Sequence, residues 1–231
     1  AFDVCTQASA DSECVGVIMW MHTFSPAKMW IRALKALTKP MLQLHTQYNK
    51  ELPYDSIDMD FMNLNQAAHG DREFGFVCTR LGIKREVVSG YYKHDEVIEK
   101  LRRFAKAAVA VDFGKGMRVA MFGNNMRDVA VTDGDRVESE IKYGWNVNYY
   151  AIGDLCDIID GVTDEEVDGK MAEYSEKYDF NTDNTAAVRE QAKYEVAIEK
   201  FLERENISAF TDTFQDLHGL NQLPGIAVQN I

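Results

Sequence analysis

Four stretches of the sequence carry more polar and aromatic side chains than a plain helix–strand junction needs. The first is His22-Thr23-Phe24-Ser25-Pro26-Ala27-Lys28-Met29-Trp30, where an apolar run gives way to Ser-Pro. That pair predicts a helix start, with Ser capping free N–H groups and Pro costing no hydrogen bond in the first turn. A helix N-terminus facing a crevice offers N–H donors to hydroxyls or anions; the simpler reading of this stretch alone is a Ser25 cap with His22 and Phe24 packing locally. The second runs from Asp58 to Glu73. Its Gln66 and His69 are three apart, a spacing that sets a donor and an acceptor on one helical face, suited to hydroxyl recognition. Asp58, Asp60 and Glu73 raise the alternative of an ion-pair network with Arg72 and Lys28. The third, Phe122 to Asp135, has the glycine and asparagines of a tight strand-to-loop turn around Met126. It lacks both G-x-G-x-x-G and G-K-[ST], which disfavours nucleotide binding, and Thr132-Asp133-Gly134-Asp135 reads as a turn capping the next helix. In the fourth, Phe210 to Gly219, Phe214 either offers a flat apolar face to the C–H groups of a sugar or fills the core, and core is the commoner role.

These stretches need elements to hold them. Short β-branched and apolar runs alternate with longer stretches of helical period, which predicts α/β folding with two consecutive open, mostly parallel sheets flanked by helices, Rossmann- or flavodoxin-like. The strands drawn are Val15 to Met21, Met41 to His45, Glu86 to Tyr91, Met117 to Phe122, Val147 to Ile152 and Ser208 to Thr211. Ligands of such sheets bind in the crevice beyond the carboxyl ends of the strands. Asp95 to Val111 forms one apolar helical stripe, while Thr163 to Asp179 and Ala186 to Glu205 are charged helices whose Glu/Lys spacing suits solvent-facing sides of a covering layer. Gly114-Lys115-Gly116 interrupts the helical pattern before the βα alternation restarts, so the domains are drawn as 1–116 and 117–231.

Composition narrows the classes of function. A net charge of −12 over 231 residues leaves no basic cluster for nucleic acid or a membrane face. No apolar run approaches the roughly 20 residues that span a bilayer. Cys5, Cys14, Cys78 and Cys156 form neither a C-x-x-C pair nor a zinc-spaced cluster. They are read as reduced, in a cytoplasmic protein. Ala1 to Cys5 reads as the tail of an amphipathic helix and Gly225 to Ile231 stops without a closing helix or a polar tail, so the chain is expected to continue beyond both ends.

Taken in order, His22 to Trp30, Ile57 to Asn63, Asn124 to Arg127 with Val129 to Asp135, and Asp216-Leu217-His218-Gly219-Leu220 with Gln222-Leu223-Pro224-Gly225 resemble the L-arabinose isomerase family from end to end. The resemblance implies an internal piece of a longer chain: most of an N-terminal α/β domain without its first strand and helix, and most of a central α/β domain, with the C-terminal β domain absent. It implies an aldose–ketose isomerase that converts L-arabinose to L-ribulose by proton transfer through an enediol, with D-galactose open as a second substrate. The family's cofactor is Mn²⁺, held by glutamates and histidines that lie beyond Ile231, so no metal ligand and no catalytic acid or base is assigned here. His22, His45 and His218 invite a metal reading because histidine commonly ligates, and the family pattern gives them no such part. The resemblance makes Phe24 and Phe214 the aromatic wall of the sugar pocket and Met126 an apolar contact beside it. Gln66 and His69 become residues that reach the active site of an adjacent subunit in a hexamer of two trimers. The competing reading from another class is a non-catalytic sugar-binding α/β module whose lobes close on a carbohydrate.

Overall fold

Parallel strands that helices cover on both faces need apolar residues at consecutive positions, and the run Met41–His45, Met-Leu-Gln-Leu-His, meets that requirement except at Gln43 and His45. The structure, a computed structural model, describes residues 1–231 as two compact units, Ala1–Phe113 and Gly114–Ile231.

The first unit runs α1 (Phe2–Ala10), β1 (Val17–Met19), a 3-10 turn (Ala27–Trp30) leading into α2 (Ile31–Ala36), β2 (Met41–His45), α3 (Met59–Leu64), α4 (Gly70–Arg80), β3 (Glu86–Ser89) and α5 (Asp95–Gly114). Its sheet is parallel in the order β1-β2-β3. Successive side chains of β2 point to opposite faces. Leu42 and Leu44 pack with Val88 and Val97 and, at the edge, Leu101 and Phe104, whereas Met41 joins Met19, Leu34, Phe74 and Val77 on the other face. Gln43 and His45 share the face of Met41, so a polar group enters the layer under α4.

β1 is shorter than the run from Val15 to Met21 predicts, because pairing lasts only from Val17 opposite Met41 to Met19 opposite Gln43. Strand extent here is a property of the partner. The predicted Ser25 cap is also corrected. The 3-10 turn begins beyond Pro26 with no side-chain cap; Ser25 Oγ instead accepts from Trp30 Nε1 at 3.1 Å, and the Ala27 N–H finds Glu73 Oε2 at 3.1 Å. A carboxylate is the stronger acceptor, and it releases the hydroxyl to the indole.

The second unit runs β4 (Arg118–Phe122), a 3-10 turn (Ala130–Thr132), α6 (Arg136–Tyr143), β5 (Asn146–Tyr150), α7 (Ile152–Asp160), α8 (Asp164–Lys177), α9 (Thr185–Glu205), β6 (Ala209–Asp212) and α10 (Gly225–Asn230). Its sheet is parallel in the order β5-β4-β6. Phe122 and Ala120 of the central strand face α9, where the ring of Phe201 meets that of Phe122 edge-on at 4.8 Å between centroids. Thr163 and Glu166 close a capping box at the start of α8, and Asp135 caps α6 by accepting from Glu138 N at 2.9 Å.

One expectation about α8 and α9 fails: their charges do not all face solvent. Lys170 is buried, 3.3 Å from the buried Glu195 and 3.0 Å from each of Glu173 and Glu199. Glu195 also accepts from the buried Tyr174 hydroxyl and from Asn230 Nδ2. Burial opposes the charge of Lys170, yet hydrogen bonds to Glu199 and Glu173 outweigh it and hold the ammonium above the usual lysine range. The helices approach closely enough to exclude water between them, and the ions are kept by being paired. No helix is long and apolar enough to cross a membrane.

Candidate functional site

In the first unit the chain beyond β1 is held against the turn between α3 and α4 by three contacts. His22 Nδ1 donates to Leu64 O at 2.9 Å, Gln66 N–H donates to His22 O at 2.6 Å, and Ala27 N–H reaches Glu73 as above. Gly70 makes this closeness possible. A Cβ there would stand 2.3 Å from Thr23 O and 3.1 Å from Ser25 N. Phe24, exposed to 57%, therefore stands on the same piece of surface as Gln66 and His69.

Gln66 and His69 do not project from a helix, as their spacing predicted. α3 ends at Asn65 in a non-helical conformation, and His69 is the N-cap residue of α4. The Asn65 side chain is tied to Asn49, donating to its Oδ1 at 2.9 Å and accepting from its N–H at 2.7 Å, and that attachment turns the chain. The two side chains still meet, with His69 Nδ1 3.3 Å from Gln66 Oε1. The alternative of an ion-pair network with Arg72 and Lys28 does not form, and two of the three acids bind backbone instead. Asp58 caps α3 through Phe61 N at 2.8 Å, Glu73 serves Ala27, and Asp60 is an exposed first-turn acid.

Sequence reasoning missed Asp71. This residue is fully buried, and its Oδ2 accepts from Gln43 Nε2 at 2.7 Å and from His45 Nδ1. Arg85 Nε completes the chain by donating to Gln43 Oε1 at 2.6 Å. Burial pushes the Asp71 carboxyl up, while the hydrogen bonds from Gln43 and His45 pull it back. The signal was present: Asp71, Phe74 and Cys78 fall at i, i+3 and i+7, so a carboxylate occupies the apolar register of α4. His45, held from below by Asp71, lines a cavity of about 340 Å³ with Lys50, Gln47 and Tyr91 at the carboxyl ends of β2 and β3.

In the second unit a cavity of about 300 Å³ opens at the carboxyl ends of β4 and β6, and both Met126 and Phe214 line it. Gly123 makes the turn out of β4 at φ 73°, where a Cβ would lie 2.7 Å from Thr213 Cγ2. The following loop is fixed by its own polar groups. Asn125 Nδ2 donates to Asp133 Oδ1 at 2.8 Å, Met126 N–H to Thr132 Oγ1 at 3.1 Å, and Arg127 N–H to Gln215 Oε1 at 2.8 Å. The loops after β4 and β6 are thereby joined. Phe214 is exposed to 63%, not core. An aromatic ring and a thioether beside amide and hydroxyl groups can bind a molecule that alternates C–H and O–H, as an extended sugar does.

No group of three or more His, Cys, Asp or Glu side chains is arranged to hold a metal ion. His22 and His45 spend Nδ1 on Leu64 and Asp71. A divalent cation such as Mn²⁺ does not fit the donors present.

Comparison with known proteins assigns both units to one family. Residues 2–115 match the model of the L-arabinose isomerase N-terminal domain, and residues 118–231 match that of the L-arabinose isomerase central domain. The L-arabinose isomerases of Clostridium beijerinckii and Shouchella clausii are each 53% identical to the chain, over 99% and 97% of it. That of Geobacillus stearothermophilus is 51% identical over 99%. The chain spans about half the length of these relatives, 47%, 46% and 47% respectively. With both units matched along nearly their whole extent, the chain belongs to the L-arabinose isomerase family.

Proposed function

We propose that the full-length protein is a cytoplasmic L-arabinose isomerase and that these 231 residues supply sugar-pocket and subunit contacts without the metal ligands. The observation that carries this reading is the family match across both units. The reaction moves one hydrogen from C2 to C1 of the open-chain aldose and the hydroxyl proton from O2 to O1, so that the carbonyl shifts from C1 to C2 through an enediol. In this reading Phe214 and Met126 lie along the C–H groups of the extended chain and hold it in line, and Phe24 offers a further aromatic face to sugar on the first unit. Gln66 and His69 offer a donor and an acceptor to the sugar in the pocket of an adjacent subunit, within a hexamer of two trimers. The exposure of His69 and its contact with Gln66 support that assignment, since a group serving another subunit must be free of its own core. Mn²⁺ belongs to the proposal as a cofactor held by residues outside this span.

The test is turnover of L-arabinose to L-ribulose by the full-length chain with Mn²⁺, with D-galactose as the second sugar. His69→Ala is expected to lower kcat/KM by roughly 10- to 100-fold, the loss of one hydrogen bond worth about 1.5–3 kcal/mol in the transition state. The thermal midpoint should barely move, because an exposed residue without core contacts changes stability by about 0.5 kcal/mol or less. Tight metal-independent binding of L-arabinose with no turnover would instead identify a sugar-binding module, and unchanged kinetics in the variant would remove His69 from the site.

A further inference from the structure

At the carboxyl end of β6 the second unit carries a partly buried carboxylate that no other side chain binds. Asp212 ends β6, on the same face of the strand as Phe210, whose ring packs into the core. It lines the 300 Å³ cavity with Met126 and Phe214, and also a neighbouring cavity of about 260 Å³ with Phe214, Leu223 and Val228. Every other residue of the two walls is Asn, Thr, Gln, Gly, Pro or apolar, so Asp212 is the single ionisable group facing either space. Its carboxyl receives a hydrogen bond only from its own backbone, and burial pushes it above the usual carboxylate range. Thr213 Oγ1, beside it, is buried without a partner. A half-buried carboxylate with no cation and no side-chain donor bonded to it works against folding. The arrangement makes sense when donors arrive with a ligand.

We propose that Asp212 is a specificity-determining residue that accepts hydrogen bonds from hydroxyls of an open-chain polyol lying against Phe214. The inference rests on the isomerase reading for the identity of the sugar, and on the cavity alone for the chemistry of the contact. An ionised carboxylate accepts from adjacent hydroxyls with charge-assisted strength, whereas an amide or a protonated acid accepts more weakly. The contact is therefore strongest above the folded-state value of Asp212 and weakens as pH falls through it. Because that value is raised, weakening begins at higher pH than for an ordinary aspartate. Stability runs the opposite way. The folded state holds the Asp212 proton more tightly than the unfolded chain, so this residue destabilises the fold progressively as pH rises through that interval.

The experiment uses the full-length holoenzyme with Asp212→Asn and Asp212→Glu, L-arabinose for kinetics, and L-arabinitol, an open-chain polyol that cannot isomerise, for titration. In Asp212→Asn, KM for L-arabinose and Kd for L-arabinitol are each expected to rise about tenfold at neutral pH, with kcat changed far less, and Asp212→Glu should restore part of the loss. Wild-type Kd should climb toward the variant's value as pH falls, while the variant's stays flat. The thermal midpoint of Asp212→Asn should exceed that of wild type at neutral pH and converge with it in acid. Turnover absent but L-arabinitol binding weakened by the variant would sink the isomerase reading and leave this contact standing. Equal L-arabinitol affinity of wild type and Asp212→Asn at every pH, or no L-arabinitol binding by wild type, would overturn the contact itself.

Discussion

Gly70→Ala is expected to destabilise the first unit by about 2–3 kcal/mol and to lower sugar turnover even at temperatures where the protein stays folded. The added methyl would stand 2.3 Å from Thr23 O and 3.1 Å from Ser25 N, both backbone atoms. Neither can rotate away as a side chain would, so the segment after β1 must lift off α4, a typical overpacking penalty. What lifts is the segment carrying Phe24, away from Gln66 and His69. Urea unfolding of the full-length chain together with kcat/KM for L-arabinose reads both effects. Gly169→Ala is the control: it lies within α8 with open space around it, so the same change there should stabilise by about 0.5–1 kcal/mol. Equal midpoints for Gly70→Ala and wild type would show that the two segments are not pressed together.

Lys170→Met is expected to produce a still larger loss, about 3–5 kcal/mol, because it strands Glu195 as a buried charge. Tyr174 and Asn230 continue to donate to Glu195 after the change, which softens the penalty without neutralising the ion. The double variant Lys170→Met, Glu195→Leu should recover much of the loss, since removing both ions lifts the desolvation penalty along with the attraction. The pH dependence follows from the raised Lys170 value. A lysine held above its ordinary range contributes its full stabilisation below that range and loses it only as pH climbs through the folded-state value. The gap between wild type and Lys170→Met should therefore stay level from neutral into mildly alkaline pH. Urea midpoints across that range check it, and a double variant no more stable than the single one would mean the helices rely on the ion pair itself.

Both effects depend on contacts between residues distant in sequence, which marks how far a reading of the chain alone can go. Alternating apolar runs and helical stripes were sufficient for two parallel α/β sheets, because burial on both faces of a strand and one face of a helix leaves a local record. Met41–His45 appeared at its true extent, and the helix drawn from Thr163 matches α8, which Thr163 caps. Those signals are written within a few residues. Four features were not. β1 is cut short by where β2 lies beside it. Ser25 loses its capping role to Glu73, which arrives from α4. Gln66 and His69 keep company through a turn that Asn49 and Asn65 pin, where spacing suggested a helical face. Met126 and Phe214 share a cavity because Gly123 lets the loops after β4 and β6 close on one another. The sequence by itself determined the parallel strands and the long helices between them, since that choice follows from local burial pattern and backbone preference, but it showed no closing helix where the structure forms α10 over Gly225–Asn230. Only the tertiary structure decided which polar groups stand paired, which are buried like Asp71 and Lys170, and which, like Asp212, face a cavity without a partner. Pairing is a matter of distance, and distance between remote residues is set when the chain closes its core.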